Sequence, residues 1–148
     1  MMNGRLDMRK FAAKKMMCGT AMVEFALILP LLLVLVFGIV EFSIALYDKA
    51  VITNASREAA RAGVIYRATA LTNAQIAAVA TNASQAHLIT LGGSAAPQVT
   101  VSKPTGGTAG NPLTVTVTYQ YTGLLLGNML SVMTGSQTLT ATTTMMIE

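Results

Sequence analysis

FALILPLLLVLVFGIV, residues 25–40, places 16 residues in a row without a charge, and FSIALY follows at 42–47 after Glu41. With its flanks, residues 20–47 make a helix candidate about 42 Å long at 1.5 Å per residue, more than the roughly 30 Å of hydrocarbon in a bilayer. Such a helix spans with tilt or projects beyond the lipid. The whole chain agrees: at 53% hydrophobic and 11% charged residues, its 148 residues are too apolar for an ordinary soluble domain.

Working outward toward the N-terminus, the charge is concentrated on one flank. Arg5, Arg9, Lys10, Lys14 and Lys15 stand against Asp7 in residues 1–19, which accounts for the full formal net charge of +4. Downstream, Lys49, Arg57, Arg61, Arg67 and Lys103 balance Glu24, Glu41, Asp48, Glu58 and Glu148. No basic patch is left to track phosphates, so nucleic acid is not an expected partner. The positive-inside rule keeps the basic flank cytoplasmic and sends residues beyond about 48 outward. Cys18 is the single cysteine, and it precludes an intrachain disulfide.

Three kinds of N-terminus fit a basic flank before an apolar run. A secretory signal peptide ends its shorter apolar stretch at small residues, whereas this run is long and continues into EFSIALYDKAV. A lipoprotein signal places cysteine after the apolar run, and Cys18 precedes it. The third kind is cut on the cytoplasmic side, between the flank and the run, where Gly19 is followed by TAMVEF.

Gly19-Thr20-Ala21-Met22-Val23-Glu24-Phe25 resembles the site cut by a prepilin peptidase, with glycine before the scissile bond, a carboxylate fifth after it and an aromatic next. The continuation VEFALILPLLLVLVFGIVEF and the downstream NASREAARAG are similar to the TadE-like pseudopilins of the tight-adherence (Tad/Flp) machinery. The resemblance is closest over residues 19–64. It implies cleavage between Gly19 and Thr20, with Glu24 and Phe25 serving recognition and assembly. It further implies a membrane-anchored minor pseudopilin whose partners are the peptidase, other pilin or pseudopilin subunits, an inner-membrane assembly platform and membrane lipid.

An unpaired carboxylate at the edge of an apolar run is costly, so Glu24 needs a partner. Cleavage creates one, the α-amine of Thr20, and the resemblance implies that this amine belongs to a neighbouring subunit. Glu41, 17 residues on, is expected as a solvated interfacial acid, with an intersubunit ion pair as the alternative. Pro30 and Gly38 are expected to kink or locally melt the apolar helix.

Beyond the span, residues 48–65 keep helical character. Ala55, Ala59 and Gly63 recur every fourth residue and form a small stripe that permits close packing, on another subunit or on this chain's own head. Thr72 with Gln75 makes a capping box for a second helix, whose apolar face of Ile76, Val79, Ala83 and Leu88 extends toward Gly92-Gly93. Val99 and Val101 alternate briefly, LTVTVTYQYT alternates strongly, and Thr138–Ile147 can add a third strand. KPTGGTAGNP is a turn-rich loop joining the first two strands as an antiparallel hairpin. Leu124–Met133 is read as an apolar connection.

The expected fold is α+β, a long N-terminal transmembrane helix followed by a small exported domain of one helix on a short antiparallel sheet. Its parts are a basic cytoplasmic leader at 1–19 that is removed, the span at 20–47, the helical extension at 48–65 and the head at 66–148. The head is expected outside the inner membrane, in the periplasm or on a surface pilus.

Catalysis is not expected. His87 is the single histidine, and Asp48, Glu58 and Glu148 are far apart in sequence, so no metal cluster, triad or carboxylate pair is suggested. No cofactor is expected either: Gly106-Gly107 and Gly110 lack a phosphate-loop lysine. Asn54-Ala-Ser56 and Asn82-Ala-Ser84 match the glycosylation tripeptide, but both fall in expected helices and read as chance. The alternatives to a minor pseudopilin are a signal-anchored exported binding protein that keeps its N-terminus, and a structural pilin.

Overall fold

The computed structural model describes residues 5–65, 69–90, 96–103, 108–123 and 137–148, with side chains from residue 19 onward. The elements are α1 (Arg5–Val64), α2 (Asn73–Gln85), β1 (Gln98–Ser102), β2 (Pro112–Tyr121) and β3 (Gln137–Met146). The fold is α+β. The chain divides into two units, Met1–Ile39 and Val40–Glu148, each of which is taken by itself below.

In the first unit the backbone is helical and the apolar side chains are bare. Leu27 is 73% exposed and Leu31 71%, and Phe25, Ile28, Val34 and Ile39 are exposed as well. A soluble helix hides at least one stripe of such residues; among the described residues this one hides none, which is compatible with a helix whose solvent is lipid. Among the described residues it belongs to the one helix long and apolar enough to cross a membrane, with mean hydropathy 2.8. The local melting expected at Pro30 and Gly38 is not found, because helix assignment continues through both. One proline removes one ladder donor, and the bonds on either side hold the turn.

The second unit is built on a three-stranded antiparallel sheet of order β1-β2-β3. Val99 pairs with Val117 and Val101 with Val115, while Leu113 faces Met145 and Val117 faces Ala141. Alternation then sorts the faces. Leu113, Val115, Val117, Tyr119 and Tyr121 of β2 are buried, and the threonines between them line the other face. There, Thr114 and Thr144 join hydroxyls at 3.0 Å, and Thr116 and Thr142 at 3.2 Å. Gly110, with φ +83°, takes the left-handed turn that leads into β2, and its N–H donates to the Ile147 carbonyl at 2.8 Å.

The inner face of the sheet is covered by two helices, one more than the sequence suggested, because the second half of α1 is itself a wall of the head. Ile52, Ala59, Ala60 and Val64 of α1 and Ile76 and Ala80 of α2 join the β2 side chains and Ala141 in one core. Successive contacts show that α1 runs parallel to β3. Lys49 Nζ donates to the Thr140 carbonyl, Ser56 Oγ meets Thr143 Oγ1 at 2.7 Å, and the Glu148 N–H reaches the Val64 carbonyl at 3.3 Å.

The small stripe is turned toward α2 and the sheet. Ala55 and Ala59 are buried, and a Cβ on Gly63 would stand 2.5 Å from Leu113 Cδ2 and 2.8 Å from Ile76 Cδ1. Gly63 is therefore the point where α1, α2 and β2 close on one another. The packing partner of the stripe is the chain's own head.

Thr72 caps α2 as expected, its Oγ1 accepting the Gln75 N–H at 3.3 Å while Gln75 Oε1 accepts the Thr72 N–H at 2.9 Å. The helix ends earlier than its apolar pattern implies, at Gln85 rather than near Gly92. After Ala86 the chain turns, with the His87 and Leu88 N–H groups both donating to the Ser84 carbonyl. Leu88 thus packs on the core from a turn. The expected connection at Leu124–Met133, the Gly92-Gly93 pair and Pro104–Gly107 of the turn-rich loop lie outside the described residues.

Candidate functional site

Gly19 stands in α1, and its backbone is not in the left-handed region, since Gly110 is the positive-φ glycine among the described residues. A Cβ placed on Gly19 would meet nothing within 4 Å. Neither conformation nor packing requires glycine here, and glycine inside a helix costs about 1 kcal/mol relative to alanine. The fold gives no reason for this residue.

Thr20 and Glu24 are one helical turn apart and share a face. Both are exposed, as is Phe25 at 62%. Among the described residues Glu24 makes no hydrogen bond or ion pair, although it adjoins the apolar run. This short segment therefore presents a glycine without side-chain cover, a carboxylate and an aromatic ring on one exposed stretch.

Glu41 is half-buried, and its backbone carbonyl accepts the Tyr121 hydroxyl at 3.2 Å. Burial first, then the negative charges of Glu41 and Asp48, push the Tyr121 phenol above its ordinary range. Glu41 is thus held beside the head rather than standing freely in solvent.

Asp48 was not singled out in the sequence, where it reads as one of three scattered acids. It lies just beyond the membrane-crossing stretch and is fully buried. Oδ1 accepts the Ile89 N–H at 3.0 Å, which ties the turn after α2 to α1. Oδ2 is buried with no partner among the described residues. Burial pushes this carboxyl above the usual carboxylate range, and the Ile89 bond only partly opposes it. The neighbouring Tyr119 phenol is raised too, by burial first and by the charge of Asp48 second.

A folded-state pKa above the unfolded value means that the fold holds the proton more tightly. The associated stability is present below the unfolded value near 3.9 and is lost as pH rises through the folded one. Asp48→Asn keeps the acceptor for Ile89 and removes the charge. The variant is expected to be more stable than the parent at pH 7, with the difference shrinking on acidification. Urea midpoints of both proteins at pH 4 and pH 7 check this; a parent as stable as the variant at pH 7 contradicts it.

Between α1 and α2 runs a groove of about 640 Å³, whose walls include Val51, Asn54 and Glu58 on one side and Val79, Asn82 and His87 on the other. The two walls come from a repeated sequence. Ala50-Val-Ile-Thr-Asn-Ala-Ser56 and Ala78-Val-Ala-Thr-Asn-Ala-Ser84 agree at six of seven positions, 28 residues apart. The copies also share their internal bonds. Thr53 and Thr81 hydroxyls donate to the carbonyls four residues back, and Ser56 and Ser84 hydroxyls donate to the carbonyls of those threonines.

Reading the two Asn-Ala-Ser tripeptides as chance matches missed this repeat. The signal available in the sequence was the whole heptapeptide, not the tripeptide. No group of three metal-ligating side chains occurs among the described residues.

One bare apolar helix together with a small α+β head is compatible with a protein held in a membrane by a single pass. Residues 19–61 match the family model described as TadE-like protein, a stretch that takes in the candidate cleavage segment, the apolar run and most of the α1 wall of the head. This is consistent with a TadE-like protein of the Tad pilus system. No curated protein matches the chain, and no solved structure matches it.

Proposed function

We propose that the chain is a minor pseudopilin of a Tad/Flp pilus system, cut between Gly19 and Thr20 by a prepilin peptidase and assembled with other pilin subunits through an inner-membrane platform. The observation that carries this reading is the order of features inside the TadE-like segment. A glycine that the fold does not need precedes an unpartnered glutamate, and both precede the apolar helix. Cleavage leaves a cationic amine on Thr20, the complement of a carboxylate that water solvates poorly at the edge of the run.

The basic residues before Gly19 support a cytoplasmic N-terminus and an exported head. In this role the chain is a substrate of the peptidase and a component of an assembly, not a catalyst.

Glu24→Ala separates the two halves of the proposal. The variant is expected to be cut as the parent is, with Thr20 as its first residue, while its recovery in sheared pili or membrane pilus complexes falls about tenfold or more, the equivalent of roughly 1.4 kcal/mol. Normal incorporation of Glu24→Ala would remove the pairing of carboxylate and amine from the mechanism.

A further inference from the structure

The groove between α1 and α2 combines two observations that packing alone does not explain. Asn54 and Asn82 occupy equivalent places in the repeated heptapeptide and face the same groove from opposite walls. Neither carboxamide bonds to another described residue, and both side chains are exposed. Asparagine inside a helix costs a few tenths of a kcal/mol or more relative to alanine. The repeat spends its threonine and serine hydroxyls on its own backbone and turns Ile52 and Ala80 into the core. Its asparagines return nothing to the fold.

We infer that this groove binds a neutral oligosaccharide. Its polar groups are Tyr47, Asn54, Glu58, Asn82 and His87, all of them planar and all able to share hydrogen bonds with hydroxyls. A carboxamide offers an acceptor beside a donor, matching two hydroxyls on adjacent ring carbons, each of which gives and accepts. Between the polar groups the lining is short and aliphatic, from Val51 and Ala55 on one wall to Val79 and Ala83 on the other, which suits the C–H faces of sugar rings.

No lysine or arginine lines the groove, so phosphates, sulfated sugars and acidic peptides find no counter-charge. Glu58 is the one formally charged residue in the lining. A volume of about 640 Å³ is within the roughly 300–1,000 Å³ range of small-ligand sites and admits a short oligosaccharide. An extended peptide would also accept the two carboxamides, but it draws specificity from side-chain sockets, and a lining of alanine and valine supplies few. The inference does not depend on processing or on pilus assembly.

The test uses the full chain in lipid nanodiscs, free of sugar-headed detergent, with ¹⁵N-labelled asparagine. Asn73 and Asn111, outside the groove, serve as internal references. Maltotriose and triacetylchitotriose, both neutral, are titrated separately, then a blocked trialanine peptide. The expected result is that at least one sugar shifts the side-chain signals of Asn54 and Asn82 and saturates at about millimolar concentration, with the reference signals unmoved. The N54A/N82A double variant should bind about tenfold more weakly or worse while its backbone spectrum is kept, because both sites are exposed and alanine is the better helix former. Absence of any shift with both sugars, a response to the peptide alone, or undiminished sugar binding by the double variant would overturn the inference.

Discussion

Cells that carry the peptidase and produce Gly19→Leu should yield a chain that keeps its N-terminal leader, while the parent yields one beginning at Thr20. Residue 19 is helical and open, and a Cβ there meets nothing within 4 Å. Leucine is also the better helix former by several tenths of a kcal/mol. The substitution therefore leaves folding and insertion intact and changes only what a protease cleft meets beside the scissile bond. A cleft shaped for glycine must expel or distort a leucine, and exclusion of this kind is worth about a hundredfold or more in rate. Intact-mass measurement of membrane fractions gives the ratio of the two chains directly. Mature chain at the parental level from Gly19→Leu would remove glycine recognition, and with it the main support for processing at this bond.

The second large effect is expected in the head. Tyr119 is the largest of the fully buried side chains, 2% exposed, in a core built by both helices and all three strands. Truncation to alanine empties a ring-sized volume that rigid neighbours fill poorly, at a cost of about 3–5 kcal/mol. Small domains hold only about 5–15 kcal/mol in total, and this one has a single cysteine and so no internal disulfide to limit the loss. The unfolding midpoint of the head, followed by near-UV signal in the intact chain, should fall by more than about 10 °C. A shift of only a degree or two would mean that the ring is not part of a rigid core.

These two residues also mark what the sequence made legible. Leu113 to Tyr121 alternates so regularly that a strand with one buried face could be read from it, and Thr72 with Gln75 announced the start of α2 because that cap is made by neighbours in sequence. The apolar run was legible for the same reason. The burial of Asp48 was not, because it is decided by Ile89, 41 residues away, arriving from a turn. The early end of α2 involves the same contact: Leu88 continues the apolar pattern, but the next residue, Ile89, gives its N–H to Asp48 of α1.

For Ala55, Ala59 and Gly63 the spacing revealed that something packs closely but could not name it. Leu113 and Ile76 supply the answer at Gly63. The groove was hidden in a subtler way. Each Asn-Ala-Ser is unremarkable alone, and its meaning comes from two helices turning their copies toward one another.

Because Ile52, Ala59, Ala60 and Val64 belong both to α1 and to the core, the C-terminal part of this helix is held against the head along its length. Tension applied to this part of α1 falls on the seam with β3, along the strand direction set by the Lys49, Ser56 and Val64 contacts. Shear of this kind loads many contacts at once, so resistance to sudden pulling depends on how fast the seam yields and not only on its equilibrium stability. Pulled along this part of α1, the head loads its seam as a unit, whereas a sheet pulled from one edge strand could be peeled open strand by strand.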